Sequence, residues 1–177
     1  MRIAWAITGA GHFLNESFQI MDTLKKNNEI TLFVSSAGEE VISVYNLKHY
    51  LTGYQAICEK DQGPSFSVCG RFMRGEYDLL IISPATSNTV AKMAFGIADT
   101  MITAIFSHAT KVRIPVLVVP TDIKSTKTIT PDGEKIMVYA RKIDTENIQK
   151  LSQVEGVTIV KNPNEILKYV DGMESQK

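Results

Sequence analysis

Leu79-Leu80-Ile81-Ile82-Ser83-Pro84-Ala85-Thr86-Ser87-Asn88-Thr89 is the stretch that decides the fold. Its unbroken apolar start reads as a strand buried on both faces, and residues 90–95 behind it read as helix. Pro84 cannot donate to a sheet ladder, so the strand is expected to end there. The side chains of Thr86, Ser87, Asn88 and Thr89 then crowd the helix entrance. Ser and Asn are good N-caps, and free N–H groups at a helix start favour electron-rich or anionic ligand atoms. So many small polar groups exceed what one cap needs. In an open α/β sheet, a turn of this kind is where ligands bind.

Outward from this point, strand and helix alternate. Residues 2–8, 30–34, 78–82, 115–119 and 157–160 read as strands. Residues 15–26, 38–51, 88–95, 100–108, 145–153 and 164–170 read as helices, the first with Phe18, Ile20, Met21 and Leu24 at near-helical spacing. The alternation implies an α/β fold with a mostly parallel sheet and helices on both faces, in one domain over 1–177. Residues 128–138 break the pattern as an inserted β-hairpin around Pro131-Asp132-Gly133, either a surface ornament or a cover for a site or neighbour. Residues 53–77 are the least regular part.

Composition narrows the partners. Lys plus Arg and Asp plus Glu both number 19, so no basic field exists to attract nucleic acid or an anionic membrane. A small, chemically specific ligand is expected instead. Residues 1–8 read as a first strand, not a signal peptide, and no apolar run approaches the roughly 18–20 residues of a membrane span, so a cytoplasmic protein is expected. Cys58 and Cys69 suit neither a disulfide framework nor a cluster that takes four thiolates. Redox chemistry would therefore rest on an organic cofactor, with no metal.

Thr8-Gly9-Ala10-Gly11-His12 follows the first strand and resembles a dinucleotide fingerprint only in part. Leu14 stands at the third glycine position, and the second strand ends in Ser35-Ser36-Ala37-Gly38, with no acid for a ribose. Ser35 and Ser36 suit a phosphate monoester beside the glycine turn. Phosphate at one strand end and a polar heterocycle at the 83–89 loop describe a mononucleotide such as FMN.

Pro84-Ala85-Thr86-Ser87-Asn88-Thr89, with Lys92-Met93-Ala94 and Gly96-Ile97-Ala98-Asp99, resembles the PASANT and G-I-x-D motifs of the homo-oligomeric flavin-containing cysteine decarboxylase superfamily. Arg2-Ile3-Ala4-Trp5, Gly75-Glu76-Tyr77-Asp78-Leu79 and Asp144-Thr145-Glu146-Asn147 are similar to its archaeoflavoprotein and dihydromethanopterin reductase branch. The resemblance implies an FMN-binding, flavodoxin-like or Rossmann-like three-layer sandwich, in homotrimers that place the flavin at a subunit interface and can assemble further. Carried over by position, Gly9, Ala10 and Gly11 match the first flavin turn, and Ser35 and Ser36 the second; His12, at the same turn, is read either as a ligand contact or as a solvated loop histidine. Ala85, Thr86, Ser87 and Asn88 match the loop beside the isoalloxazine ring, while Thr121 and Asp122, after the 115–119 strand, would line the same pocket. Thr86 and Ser87 depart from the motif's Ser and Ala but stay small and polar.

The superfamily's decarboxylases need a histidine before the PASANT strand, and Ser67-Val68-Cys69-Gly70-Arg71 holds none. His12, His49 and His108 are placed elsewhere. This favours an FMN oxidoreductase in which Asn88 tunes the flavin and no side chain acts as nucleophile. By resemblance, the donor is ferredoxin or NAD(P)H, and the acceptor is dihydromethanopterin or a related dihydropterin. The alternatives are a cysteine-type decarboxylase, a flavin prenyltransferase, and a flavin-free partner subunit. The apolar residues of 93–97 and 101–106 suggest a subunit interface.

Overall fold

The computed structural model describes residues 1–175. Its main sheet has six strands in the order β3-β2-β1-β4-β5-β8, all parallel. They are β1 (Arg2–Ile7), β2 (Glu29–Val34), β3 (Gln55–Cys58), β4 (Leu79–Ala85), β5 (Val116–Pro120) and β8 (Val157–Ile159). A separate antiparallel pair, β6 (Thr126–Ile129) and β7 (Lys135–Val138), forms the hairpin. The helices are α1 (Leu14–Leu24), α2 (Ser36–Val44), α3 (Cys69–Met73), α4 (Ser87–Ala94), α5 (Met101–Lys111), α6 (Lys142–Leu151) and α7 (Ile166–Glu174).

Side-chain alternation along the strands builds a core on each face of the sheet. Ile3, Trp5 and Ile7 of β1 pack with Phe18 of α1, Ile42 of α2 and Ile166 of α7. Ala4 and Ala6, pointing the other way, pack with Phe72 of α3, Val90 of α4, Ile105 of α5 and Leu151 of α6. All seven residues of β4 are buried, as expected for a central strand covered on both sides. The chain lays down β1, β2 and β3 toward one edge, then returns to place β4 on the other side of β1. The crevice between β1 and β4 is thus the topological switch point.

Several sequence expectations need correction. Strand β4 does not stop before Pro84 but runs on to Ala85. The β4–β5 register shifts between Ile82 and Ala85, so Pro84 sits where no regular ladder bond is required of it. The Ser83–Pro84 peptide is cis. Helix α2 ends at Val44, and Asn46 takes a left-handed φ of 58°. A separate 3-10 turn follows at Lys48–Gly53. Strand β3 lies inside the stretch that looked irregular; its residues are half-buried or exposed, so it carries no apolar run.

The expected apolar interface also changes. Met93, Ala94, Met101, Ile102, Ala104, Ile105 and Phe106 are all buried within the chain itself. Only Phe95 and Ile97 of that group remain exposed. The hairpin contributes Ile129, Ile136 and Met137 to the exposed apolar surface, with Tyr139 just beyond it at 75% exposure.

Candidate functional site

A column of buried polar contacts joins the strand ends at the switch point. Trp5 Nε1 donates to the Ser83 carbonyl at 2.9 Å, and the Ser17 and Ser83 hydroxyls pair at 2.8 Å. Thr8 then uses both its N–H and its hydroxyl on the Pro84 carbonyl, at 3.2 and 2.8 Å. The same Thr8 oxygen accepts the Thr86 N–H at 2.9 Å. On the far side of β4, the Thr121 N–H donates to the Ala85 carbonyl at 3.0 Å. The loops after β1, β4 and β5 are thereby held in one arrangement.

Helix α4 opens on this platform. Its N-cap is Thr86, whose hydroxyl accepts the Thr89 N–H at 3.2 Å, so the capping role falls to neither Ser nor Asn. The N–H groups of Ser87 and Asn88 lie in the first turn, where a helix offers no internal acceptor. Ser87 is half-buried and Asn88 exposed.

The corner at the end of β2 is more fully committed. Ser35 caps α2 by accepting the Gly38 N–H at 2.9 Å. The Ser36 N–H already donates to Glu59 Oε2 at 2.9 Å. The other oxygen of Glu59 accepts the Met101 N–H at 2.7 Å, so one carboxylate serves the first turns of α2 and α5. An incoming phosphate here would meet the serine hydroxyls, but it would meet the α2 amide only by moving Glu59.

The glycines of the first turn answer to protein packing. A Cβ on Gly9 would lie 2.6 Å from the Ala37 methyl, and one on Gly11 would fall on the Tyr45 ring. Tyr45 in turn donates its hydroxyl to the Ile129 carbonyl at 2.9 Å, which ties the hairpin to the body beside Gly11.

Two connected hollows lie over these loops. A recess of about 150 Å³ is lined by Ala10, Gly11, Tyr45, Asp122, Thr128 and Val138, and by His12, Thr121 and Thr126. The last three also border a larger cleft of about 670 Å³, whose far wall carries Lys124, Lys161 and Asn162. Burial is the main influence on His12 and pushes its pKa down, against the weaker pull of Glu16 and Asp122. Asp122 Oδ2 accepts the Thr121 hydroxyl at 2.8 Å.

The structure therefore brings Ala10, Gly11, His12, Thr121 and Asp122 around one recess. Thr86 joins them through Thr8, and Ser35 and Ser36 stand one strand further out, connected by the Gly9 and Ala37 contact. Sequence reasoning missed Thr8, Tyr45, Glu59, Lys124 and Lys161. Thr8 alone carried a signal, as a hydroxyl at a strand end beside the glycine turn. Glu59 lies in the irregular stretch, and nothing in its neighbours points to helices 36–44 and 101–111. Neither thiol lines the two hollows; burial raises the Cys69 pKa, and burial with Glu39 pushes Cys58 up to about 11.

Among the described residues, no helix is long and apolar enough to cross a membrane. A dihydromethanopterin reductase (acceptor) of Methanosarcina mazei is 46% identical over 133 residues, covering 70% of this chain and 56% of that protein. The dihydromethanopterin reductase (acceptor) of Methanocaldococcus jannaschii is 34% identical over 234 aligned positions, covering 96% of this chain and 95% of that protein. The crystal structure of Burkholderia xenovorans DmrB in complex with FMN, described as a cubic protein cage for redox transfer, superposes with a TM-score of 0.87 at 34% identity. That match covers 99% of this chain and 96% of DmrB. The family model described as Flavoprotein matches residues 1–176. The chain belongs to the Flavoprotein family.

Proposed function

We propose that this protein is an FMN-dependent oxidoreductase that reduces a dihydropterin of the dihydromethanopterin type. The observation that carries the reading is the platform made by Thr8, Pro84 and Thr86, which holds the open first turn of α4 beside the loop after β1 at the topological switch point. The likeness to FMN-bound DmrB and to the two dihydromethanopterin reductases supports the cofactor and the acceptor.

In this reading Gly9, Ala10, Gly11 and His12 form one wall for FMN, Ser35 and Ser36 offer hydroxyls to its phosphate, and Thr86, Ser87 and Asn88 face its ring system, with Ala85 packed in the core behind them. Thr121 and Asp122 close the far side. Bound FMN supplies the hydride chemistry, which no side chain here provides. The protein residues position the ring and surround it with fixed N–H dipoles that favour negative charge, Asn88 among them. Electrons arrive from ferredoxin or a reduced nicotinamide. The chain works as a homo-oligomer, a trimer or an assembly of trimers, a reading supported by the cage of DmrB. A cytoplasmic location belongs to the same reading, and the free thiols of Cys58 and Cys69 suit a reducing compartment.

An absorbance spectrum of the purified protein loaded with FMN tests the proposal, repeated anaerobically with NADH, NADPH or reduced ferredoxin. Bleaching of the flavin band by one donor, and its return on adding a dihydropterin, is the expected result. A colourless protein that takes up no FMN would overturn it.

A further inference from the structure

We propose that Asp122 reads the pyrimidine edge of the pterin, pairing its carboxylate with the N3–H and 2-amino groups. This rests on the reading of the protein as a dihydropterin reductase, and it moves Asp122 from the lining of the cofactor to the recognition of the acceptor.

The chemistry of the two heterocycles separates them. The pyrimidine edge of a flavin presents carbonyl, N–H and carbonyl in a row. A carboxylate set against it meets one donor between two repelling oxygens. A 2-amino-4-oxo pterin presents two adjacent N–H donors, which match the two parallel oxygens of a carboxylate. A carboxylate is equally unsuited to the phosphate of FMN.

Asp122 is placed and left available for such a pairing. It lies half-buried in the wall of the 150 Å³ recess. Only its Oδ2 is engaged, by the Thr121 hydroxyl at 2.8 Å. No cation among the described residues reaches it within ion-pair distance, although His12 and Arg141 are near enough to feel its charge. Arg141 is already committed to Asp144, through Nε at 3.0 Å and Nη2 at 2.7 Å. With one oxygen bonded only to a neutral hydroxyl and the other without a partner among the described residues, the carboxylate has acceptor capacity left for a ligand's donors.

The surroundings fit a flat polar ring. Thr126 and Thr128 add hydroxyls to the recess, and Val138 of the hairpin gives it an apolar side. The recess meets the larger cleft at His12, Thr121 and Thr126, so a ring lodged by its edge at Asp122 has its remaining atoms in the wider space.

The test compares binding of 7,8-dihydropterin with that of 7,8-dihydrolumazine, which carries a carbonyl in place of the 2-amino group. Dissociation constants are measured on the FMN-loaded protein by titration calorimetry. The wild type is expected to prefer dihydropterin by about tenfold or more, the ratio associated with one hydrogen bond to a charged group. Asp122→Asn should bring that ratio near one, and Asp122→Glu should keep the preference in the same direction. A wild type without preference, or an Asp122→Asn protein that retains it, overturns the assignment. Should Asp122→Asn fail to fold, the wild-type ratio and the Asp122→Glu ratio decide alone. A wild type that binds FMN but neither bicycle overturns the dihydropterin reading itself, and this inference with it.

Discussion

At the scale of single residues, Thr8 carries the most structure for its size. Its hydroxyl donates to Pro84 and accepts from Thr86, so Thr8→Val keeps the shape and leaves a partly buried N–H and the Pro84 carbonyl each short of a partner. We expect a loss of about 1–3 kcal/mol in urea unfolding, together with weaker FMN binding as the 85–88 loop loosens. Asn88→Ala should weaken FMN binding or shift the flavin potential while leaving unfolding nearly unchanged, since Asn88 is exposed. Unchanged values for both affinity and potential would remove Asn88 from the site. His12 makes stability depend on pH. Its folded pKa lies below the ordinary value of 6.5, so the unfolded chain binds the proton more readily. Stability from this residue is therefore full above that value and falls as pH drops through it. His12→Gln should flatten the decline in melting temperature between about pH 7 and 5.

At the scale of elements, Glu59 joins two helices that no sequence pattern connects. Glu59→Gln removes the charge from two N–H acceptor contacts and should cost about 1–2 kcal/mol by denaturant titration. The hairpin is attached differently, through the Tyr45 hydroxyl on Ile129, while the Ala140 N–H on Ser125 closes its base. Replacing 126–138 by a short Gly-Ser link should leave the far-UV spectrum of the sheet intact and weaken dihydropterin binding, because Thr126, Thr128 and Val138 line the recess. The order of elements was legible wherever burial is two-sided, as in β4, or periodic, as in α1. It was not legible for β3, an edge strand whose exposed residues carry no pattern. The site was legible in its loops, since polar residues at strand ends need a reason. Its ties were hidden, because Glu59 and Tyr45 act on partners far away in sequence. The overestimate of an interface on α5 has the same origin: the apolar run at its start looks unpartnered until the α3, α4 and sheet contacts that cover it are seen.

For the whole molecule, the question is what covers the apolar groups that the fold leaves outside. Ile136, Met137 and Tyr139 are exposed on and beside the hairpin, and Phe95 lies 60% exposed at the end of α4. We expect light scattering to give a multiple of the 19.6 kDa chain mass, and Met137→Glu with Tyr139→Glu to reduce it. A monomeric wild type would remove the homo-oligomer from the proposal. The column of contacts from Ser17 through Ser83 and Thr8 to Thr86 has a separate consequence. Every donor and acceptor in it belongs to the chain itself. The loops it fixes have already lost their freedom when folding ends, so little ordering remains for an arriving ligand to bring about. Calorimetric binding should then show a modest entropic penalty, and backbone amide exchange around Thr8 and Thr86 should be slow in the flavin-free protein and change little when flavin is added.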